Sequence, residues 1–152
     1  MEYKVKSGAA DKQRTACVVV GIFESRKMTP SAQAIDKASN GMLANILDQG
    51  DMEGKLGQSL ILHHISNILS TRVLLMGCGK ENEFNENNYR TVIYSATKIV
   101  KESGATEETS YLTELIIKGR ETDWKVRQAV LLTGEALYQF DQLKSNTEKS
   151  QL

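Results

Sequence analysis

Residues 16–23 read ACVVVGIF, an apolar run that does not alternate with polar residues. A strand with one face in water alternates apolar and polar side chains, whereas a strand covered on both faces is apolar throughout. The run therefore predicts an inner strand of a parallel sheet, with helices packed on both of its faces.

Strand and helix patterns alternate outward from this run. Apolar and charged residues alternate over residues 2–6, which predicts a half-exposed strand. On the other side, Thr29-Pro30 supplies a hydroxyl cap followed by proline at the first helical position. We expect one helix from this point to Gly50.

Two further apolar runs, SLILHHI at residues 59–65 and RVLLMGC at residues 72–78, predict a pair of strands. Only SNILST lies between them, and a parallel connection needs a dozen or more residues. The two strands are therefore expected to be antiparallel neighbours. A helix is predicted over residues 85–103, with Gly104 ending it.

The run SYLTELIIK, residues 110–118, predicts the last strand, and the closing helix is expected from Thr122 or Asp123 to Lys144. One apolar face of that helix is predicted from its spacing: Val126, Ala129, Val130, Thr133, Leu137 and Phe140. The order β, β, α, β, β, α, β, α predicts an α/β fold with a mixed, mostly parallel sheet and helices on both faces. We expect one domain over residues 1–146 and a polar tail over residues 147–152.

The composition argues against membrane-spanning and secreted proteins and against binding driven by net charge. The 152 residues are 40% hydrophobic, and 19 Lys and Arg balance 19 Asp and Glu. No bulk charge therefore draws the chain to nucleic acid or membrane. No apolar run approaches the ~20 residues that span a bilayer, and MEYKVKSG lacks the apolar core of a signal peptide. We expect a cytoplasmic protein in which Cys17 and Cys78 are buried, reduced thiols.

Two short features could carry chemistry. His63 and His64 adjoin on a predicted strand, so their side chains point to opposite faces and are poorly placed to share a metal. Gly77-Cys78-Gly79-Lys80 lies between a strand and a helix, where backbone N–H groups can bind phosphate. It lacks the third glycine of GxGxxG and the GK[ST] ending of a P-loop, and the alternative is a strand-ending turn.

The densest local positive patch comprises Lys118, Arg120, Lys125 and Arg127. Such a cluster can contact the phosphates of DNA, so these four residues are candidate DNA contacts. Glu121 and Asp123 lie in the same stretch, which favours a solvated face or an ion-pair network at a domain interface. Both interpretations stay open at this point.

Several runs together resemble a known family. ACVVVGIFE, LILHHISNILSTRVLLMGCGKE, YLTELIIKGR and WKVRQAV…LYQFDQLK are similar to the amino-terminal domain of bacterial leucyl aminopeptidase, also called aminopeptidase A. The likeness extends from residue 1 to about residue 146, in the order and spacing of the family. Its specificity comes from the matched runs taken together, since none of them is a catalytic signature.

The resemblance implies a macro-domain-like α/β module of a cytosolic, two-domain exopeptidase that assembles as a hexamer. In that family a carboxy-terminal catalytic domain binds two divalent metals, zinc or manganese, and removes amino-terminal residues such as leucine. Some bacterial members also bind DNA in transcriptional repression and site-specific recombination. A nucleotide or ADP-ribose ligand at residues 77–80 is a weaker implication of the macro-like fold.

The catalytic runs of the family, Asn-Thr-Asp-Ala-Glu-Gly-Arg and Phe-Asp-Ser-Gly-Gly, do not occur in this sequence. The resemblance therefore assigns no catalytic residue, cofactor or metal ligand to these 152 residues. It implies an accessory domain, inactive as a peptidase by itself, whose partners are the catalytic domain, other copies in a hexamer and, in the alternative function, DNA.

Overall fold

A computed structural model describes the backbone of residues 2–4 and 8–151 and the side chains of residues 8–143. Its strands are β1 (Glu2–Lys4), β2 (Cys17–Phe23), β3 (Lys27–Met28), β4 (Ser59–His63), β5 (Arg72–Gly77) and β6 (Glu107–Ser110). Its helices are α1 (Pro30–Ala38), α2 (Met42–Asp48), α3 (Glu86–Glu102) and α4 (Thr122–Gln151). The predicted first strand is present as β1, and its last two residues lie outside the described part of the chain.

The strands form one mixed sheet in the order β1-β6-β2-β5-β4, with β3 added to the end of β2. Strands β1, β6, β2 and β5 are parallel, whereas β4 is antiparallel to β5. The predictions of a mostly parallel sheet and of an antiparallel β4–β5 pair are therefore confirmed. Strand β2 lies in the middle of the sheet, as its apolar sequence predicted.

Helices cover both faces of the sheet. On one face, α3 and α4 pack against alternate residues of the inner strands, among them Val19 and Leu74. On the other face, α1 and α2 cover the residues between these, among them Val18 and Leu75. All seven residues of β2 are buried, because each face of this strand meets a helical layer.

The helix predicted from residue 29 to residue 50 is two helices. The chain leaves the helical conformation at Asn40 and Gly41, where φ is 59° and 86°. Positive φ values suit glycine, so Gly41 marks the break between the two helices. The Asp36 carboxylate then accepts a hydrogen bond from the Ala44 N–H at 2.8 Å, which satisfies a donor in the first turn of α2.

The strand predicted at residues 110–118 was misplaced. The strand is β6, the polar sequence EETS, and it pairs with β1 on one side and β2 on the other. The apolar run after it is a loop with a short 3₁₀ turn at Leu112–Glu114. Leu112, Leu115 and Ile117 of this loop are buried against the α3 and α4 side of the core.

The closing helix α4 extends to Gln151, past the predicted end at Lys144 and through most of the predicted polar tail. Its buried face includes Ala129, Thr133 and Ala136. Val130 was predicted to lie on this face, yet it is 52% exposed. Apolar side chains therefore occur on two sides of α4, one of which packs inside the domain.

None of the helices in the described residues combines the length and the apolar character that crossing a membrane requires.

Candidate functional site

The four cations of the predicted DNA patch have different environments. Lys118, Arg120 and Arg127 are exposed and Lys125 is buried. Arg120 and Lys125 make hydrogen bonds to neighbouring residues. The start of α4 positions Lys125 and Arg127, and the turn before it carries Lys118 and Arg120. The structure thus presents three exposed cations here, of which Arg120 is already paired with Glu86, and DNA contact by this group stays a prediction.

Arg120 belongs to a local network between α3 and α4. Its Nε donates to the Glu86 carboxylate at 2.6 Å, and its guanidinium lies 4.9 Å from the centre of the Trp124 ring. Both contacts use the properties of arginine, a planar cation that pairs with carboxylates and stacks on aromatic rings. This arrangement agrees with the ion-pair interpretation of the sequence.

Lys125 is a buried structural residue, with only 6% of its surface exposed. Its ammonium group donates to the backbone carbonyl of Leu115 at 2.7 Å, and the Tyr89 hydroxyl donates to the Lys125 carbonyl at 2.9 Å. Burial lowers the pKa of Lys125, and the nearby Glu114 carboxylate opposes this shift. Lys125 therefore fastens the first turn of α4 to the loop after β6.

The predicted phosphate loop uses the N–H groups of its first three residues inside the domain. The N–H groups of Gly77, Cys78 and Gly79 donate to the carbonyls of Gln58, Ile22 and Gly54, at 2.7, 2.8 and 2.8 Å. A phosphate is bound by N–H groups that have no partner in the protein. The turn is thus a packed end of β5, the alternative that the sequence left open.

The amino terminus of α1 is occupied by a side chain of the same domain. Glu114 Oε1 accepts hydrogen bonds from the Ser31 N–H, at 3.1 Å, and from the Ser31 hydroxyl. A carboxylate here complements the positive end of the helix dipole. Thr29, predicted as the hydroxyl cap, instead donates to the Gly21 carbonyl at 2.8 Å.

Sequence reasoning missed the role of Glu114, because residues 110–118 were interpreted as a strand. The sequence at the start of α1 does indicate that an acceptor is needed there. A helix that begins with Thr-Pro-Ser and has no acidic residue in its first turn needs an acceptor from elsewhere. No feature of the sequence identifies which distant carboxylate supplies it.

A cleft of about 460 Å³ opens beside this helix terminus, at the carboxyl end of β2. It is lined by Phe23, Lys27, Met28, Thr29, Pro30, Gln33, Glu81, Glu114, Leu115 and Ile116. Two of its charged groups pair with each other, since Lys27 Nζ lies 2.5 Å from Glu81 Oε1. Ile116 is 82% exposed at the cleft, which gives this edge an apolar lip.

Histidines and cysteines form no metal centre in the described residues, where no group of three His, Cys, Asp or Glu side chains is placed to hold a metal ion. His63 ends β4 and His64 has a φ of 53°, so the strand predicted through both ends between them. Cys17 and Cys78 are buried free thiols, as predicted. Burial raises the pKa of each to about 12, which makes them poor nucleophiles.

Comparison with known proteins identifies solved structures with the same fold and a family whose model this sequence matches. Residues 19–147 match the model of the N-terminal domain of the cytosol aminopeptidase family. A mutant tomato leucine aminopeptidase superposes with a TM-score of 0.62 at 21% identity, over 87% of this chain and 26% of that chain. The present chain thus spans about a quarter of the length of the tomato protein.

Macrodomains superpose equally well. The macrodomain of Mycobacterium tuberculosis DarG has a TM-score of 0.66 at 10% identity, covering 89% of this chain and 91% of that chain. A mutant macrodomain of Oceanobacillus iheyensis has a TM-score of 0.60 at 16% identity, covering 88% and 73%. At such identities the likeness concerns the fold.

The sheet order, the two helical layers and these superpositions define a macro-domain-like α/β module. More specifically, the chain belongs to the cytosol aminopeptidase family, whose N-terminal domain its residues 19–147 match. The resemblance drawn from the sequence is therefore confirmed, both for the fold and for the family.

Proposed function

We propose that this chain is the non-catalytic N-terminal domain of a cytoplasmic leucyl aminopeptidase that removes amino-terminal residues from peptides. In this proposal a separate catalytic domain of the same polypeptide binds two divalent metals, zinc or manganese. Such a metal pair activates water and stabilises the developing oxyanion. The N-terminal domain supports a hexameric assembly and controls access of peptides to the catalytic domain.

The observation that carries the proposal is the family match over residues 19–147, combined with the chemistry that the described side chains present. The candidate anion sites are used for internal contacts. Glu114 occupies the start of α1, and the N–H groups of residues 77–79 donate to backbone carbonyls. These contacts favour a structural module over a nucleotide-binding one, in spite of the macro-like fold.

The accessory role can be tested in the longer polypeptide that the proposal requires. We expect deletion of residues 1–146 to lower the mass of the assembly below that of a hexamer and to change the kinetics for long peptides. The two metals per chain should be retained, because their ligands belong to the other domain. An intact hexamer with unchanged kinetics on short and long peptides would refute the accessory role.

DNA binding is the alternative function. Lys118 and Arg127 are exposed cations that support it, and Arg120, also exposed, is paired with Glu86. Phosphate contacts give an affinity that falls as salt increases. A gel-shift titration at two salt concentrations should show that Lys118→Glu and Arg127→Glu weaken binding and reduce its salt dependence. Exposed Lys37 on α1 lies on the other side of the sheet, so Lys37→Glu is the matched control. An affinity unchanged by the first two substitutions removes this patch from the alternative.

A further inference from the structure

Helix α4 carries a second stripe of residues, all of them exposed. Arg127, Leu131, Gly134, Tyr138 and Asp141 follow one another at intervals of four, three, four and three residues. This spacing places them in one row along a helix. Leu131 is 57% exposed and Tyr138 is 66% exposed. We call these five residues the outward stripe.

Gly134 lies at the centre of the outward stripe and inside a long helix. Glycine in a helix interior is destabilising relative to alanine. Packing within the domain does not require it, because a Cβ added at Gly134 meets nothing within 4 Å. A missing side chain on an exposed helix lets another backbone approach closely. The centre of the stripe is therefore suited to contact with a second helix.

The outward stripe is complementary to itself when it is reversed about Gly134. Arg127 lies seven residues before Gly134 and Asp141 lies seven residues after it. In an antiparallel pair of α4 helices that cross at Gly134, each Arg127 faces the Asp141 of the other copy. Tyr138, four residues after Gly134, then faces Val130, four residues before it and 52% exposed, and Leu131 lies beside this pair. A two-fold contact requires this kind of self-complementary surface.

We propose that the outward stripe of α4 binds a second copy of this chain, as an antiparallel helix pair that crosses at Gly134. Opposite charges at the two ends fix the antiparallel orientation, since a parallel pair would set Arg127 against Arg127. Asp141 also contacts Lys101 Nζ at 2.7 Å, and its side chain is 70% exposed. A carboxylate accepts several hydrogen bonds, so Asp141 can bind Lys101 and Arg127 together.

This inference goes beyond the proposed function and stands without it, because it depends only on the surface of α4. A single helix face is smaller than the roughly 800 Å² per partner of a standard stable interface. Association through the stripe alone is therefore weak, and it adds to whatever other contacts an assembly makes. The measurement must accordingly extend to high protein concentration.

Sedimentation equilibrium of the 152-residue chain tests the contact. We expect the average mass to rise with concentration toward twice the monomer mass. Leu131→Asp should abolish this rise, and Arg127→Glu should weaken association at least tenfold. Asp141→Arg should do the same, whereas Arg127→Glu combined with Asp141→Arg restores association, because the two charges exchange places across the interface. Lys37→Glu, on the opposite side of the domain, should leave association unchanged.

Two controls separate association from folding. Asp141→Arg removes the Lys101 contact as well, so Lys101→Ala shows what the loss of that contact does alone. Circular dichroism should give all of the variants the helix content of the original chain. A chain that stays monomeric at the highest concentration overturns the proposal. Association that is insensitive to Leu131→Asp, or a double charge exchange that fails to restore it, overturns it equally.

Discussion

The carboxylate of Glu114 accepts a hydrogen bond from the Ser31 N–H across 3.1 Å, although 83 residues separate them in the sequence. This contact joins the loop after β6 to the first turn of α1 and so fixes the helical layer relative to the carboxyl end of the sheet. Glu114 thereby occupies the amino terminus of α1, a position at which helices in other proteins can bind an anion.

Removing the Glu114 carboxylate should destabilise the domain. Glu114→Ala leaves the Ser31 N–H and hydroxyl without their acceptor at a half-buried site, which costs about 1–3 kcal/mol. Glu114→Gln keeps one oxygen as an acceptor and loses only the charge, so its cost should be smaller. Urea denaturation followed by circular dichroism measures both. Glu83→Ala, in an exposed 3₁₀ turn, is the matched control, and a cost equal to that of Glu114→Ala would contradict this role.

Lys125 should matter for stability more than its exposed neighbours. Lys125→Ala removes both the hydrogen bond to the Leu115 carbonyl and a buried aliphatic stem, so we expect a loss of about 2–3 kcal/mol. Lys118→Ala at an exposed position should change the free energy of unfolding by less than about 0.5 kcal/mol. Thermal and urea unfolding of the two variants give the comparison. Equal effects would show that the ammonium–carbonyl contact contributes little.

Glu108 should give the domain a stability that depends on pH. It is 2% exposed on β6, and burial raises its pKa from 4.5 to about 7. Burial disfavours the charged carboxylate, so the folded chain holds this proton to a higher pH than the unfolded chain does. The protonated Glu108 is compatible with the fold below pH 4.5, and the associated stability is lost as the pH rises toward about 7. The contribution of Glu108 to the free energy of unfolding should therefore fall between pH 4.5 and 7 and stay constant above that range.

Glu108→Gln removes this titration and keeps the shape of the side chain. The variant should gain roughly 3 kcal/mol over the original chain at pH 8 and only about 1 kcal/mol at pH 5. Urea titrations at several pH values between 5 and 8 give the difference directly. A difference between variant and original chain that is the same at every pH would show that Glu108 does not titrate as its burial implies.

The parts of the fold that the sequence predicted are those in which burial follows a local pattern. The stretch 16–23 predicted β2 because two-sided burial leaves no polar residue in the strand. The six residues between the next two strands predicted their antiparallel pairing, because a helical crossover does not fit in that length. The apolar spacing over residues 85–103 predicted α3, and the structure adds that Asn85 caps this helix, its side chain accepting from the Asn88 N–H at 2.9 Å.

The local sequence does not indicate the burial of strand β6 or of Lys125. The sequence EETS is polar, and its burial comes from neighbouring strands that are distant in the chain. The apolar run after β6 fills the core as a loop, which periodicity does not distinguish from a strand. Lys125 has the spacing of a surface cation, and the Leu115 carbonyl that accepts its hydrogen bond becomes a neighbour only in the folded chain. These are tertiary effects on residues whose local sequence indicates something else.

The measurement that tests the central claim most directly is hydrolysis of leucine p-nitroanilide by this 152-residue chain with added Mn²⁺ or Zn²⁺. A non-catalytic N-terminal domain should give no turnover above that of the metal alone, whereas a longer polypeptide that includes the catalytic domain should give metal-dependent turnover. Metal-dependent hydrolysis by the 152-residue chain itself, co-purifying with the folded protein, would contradict the account.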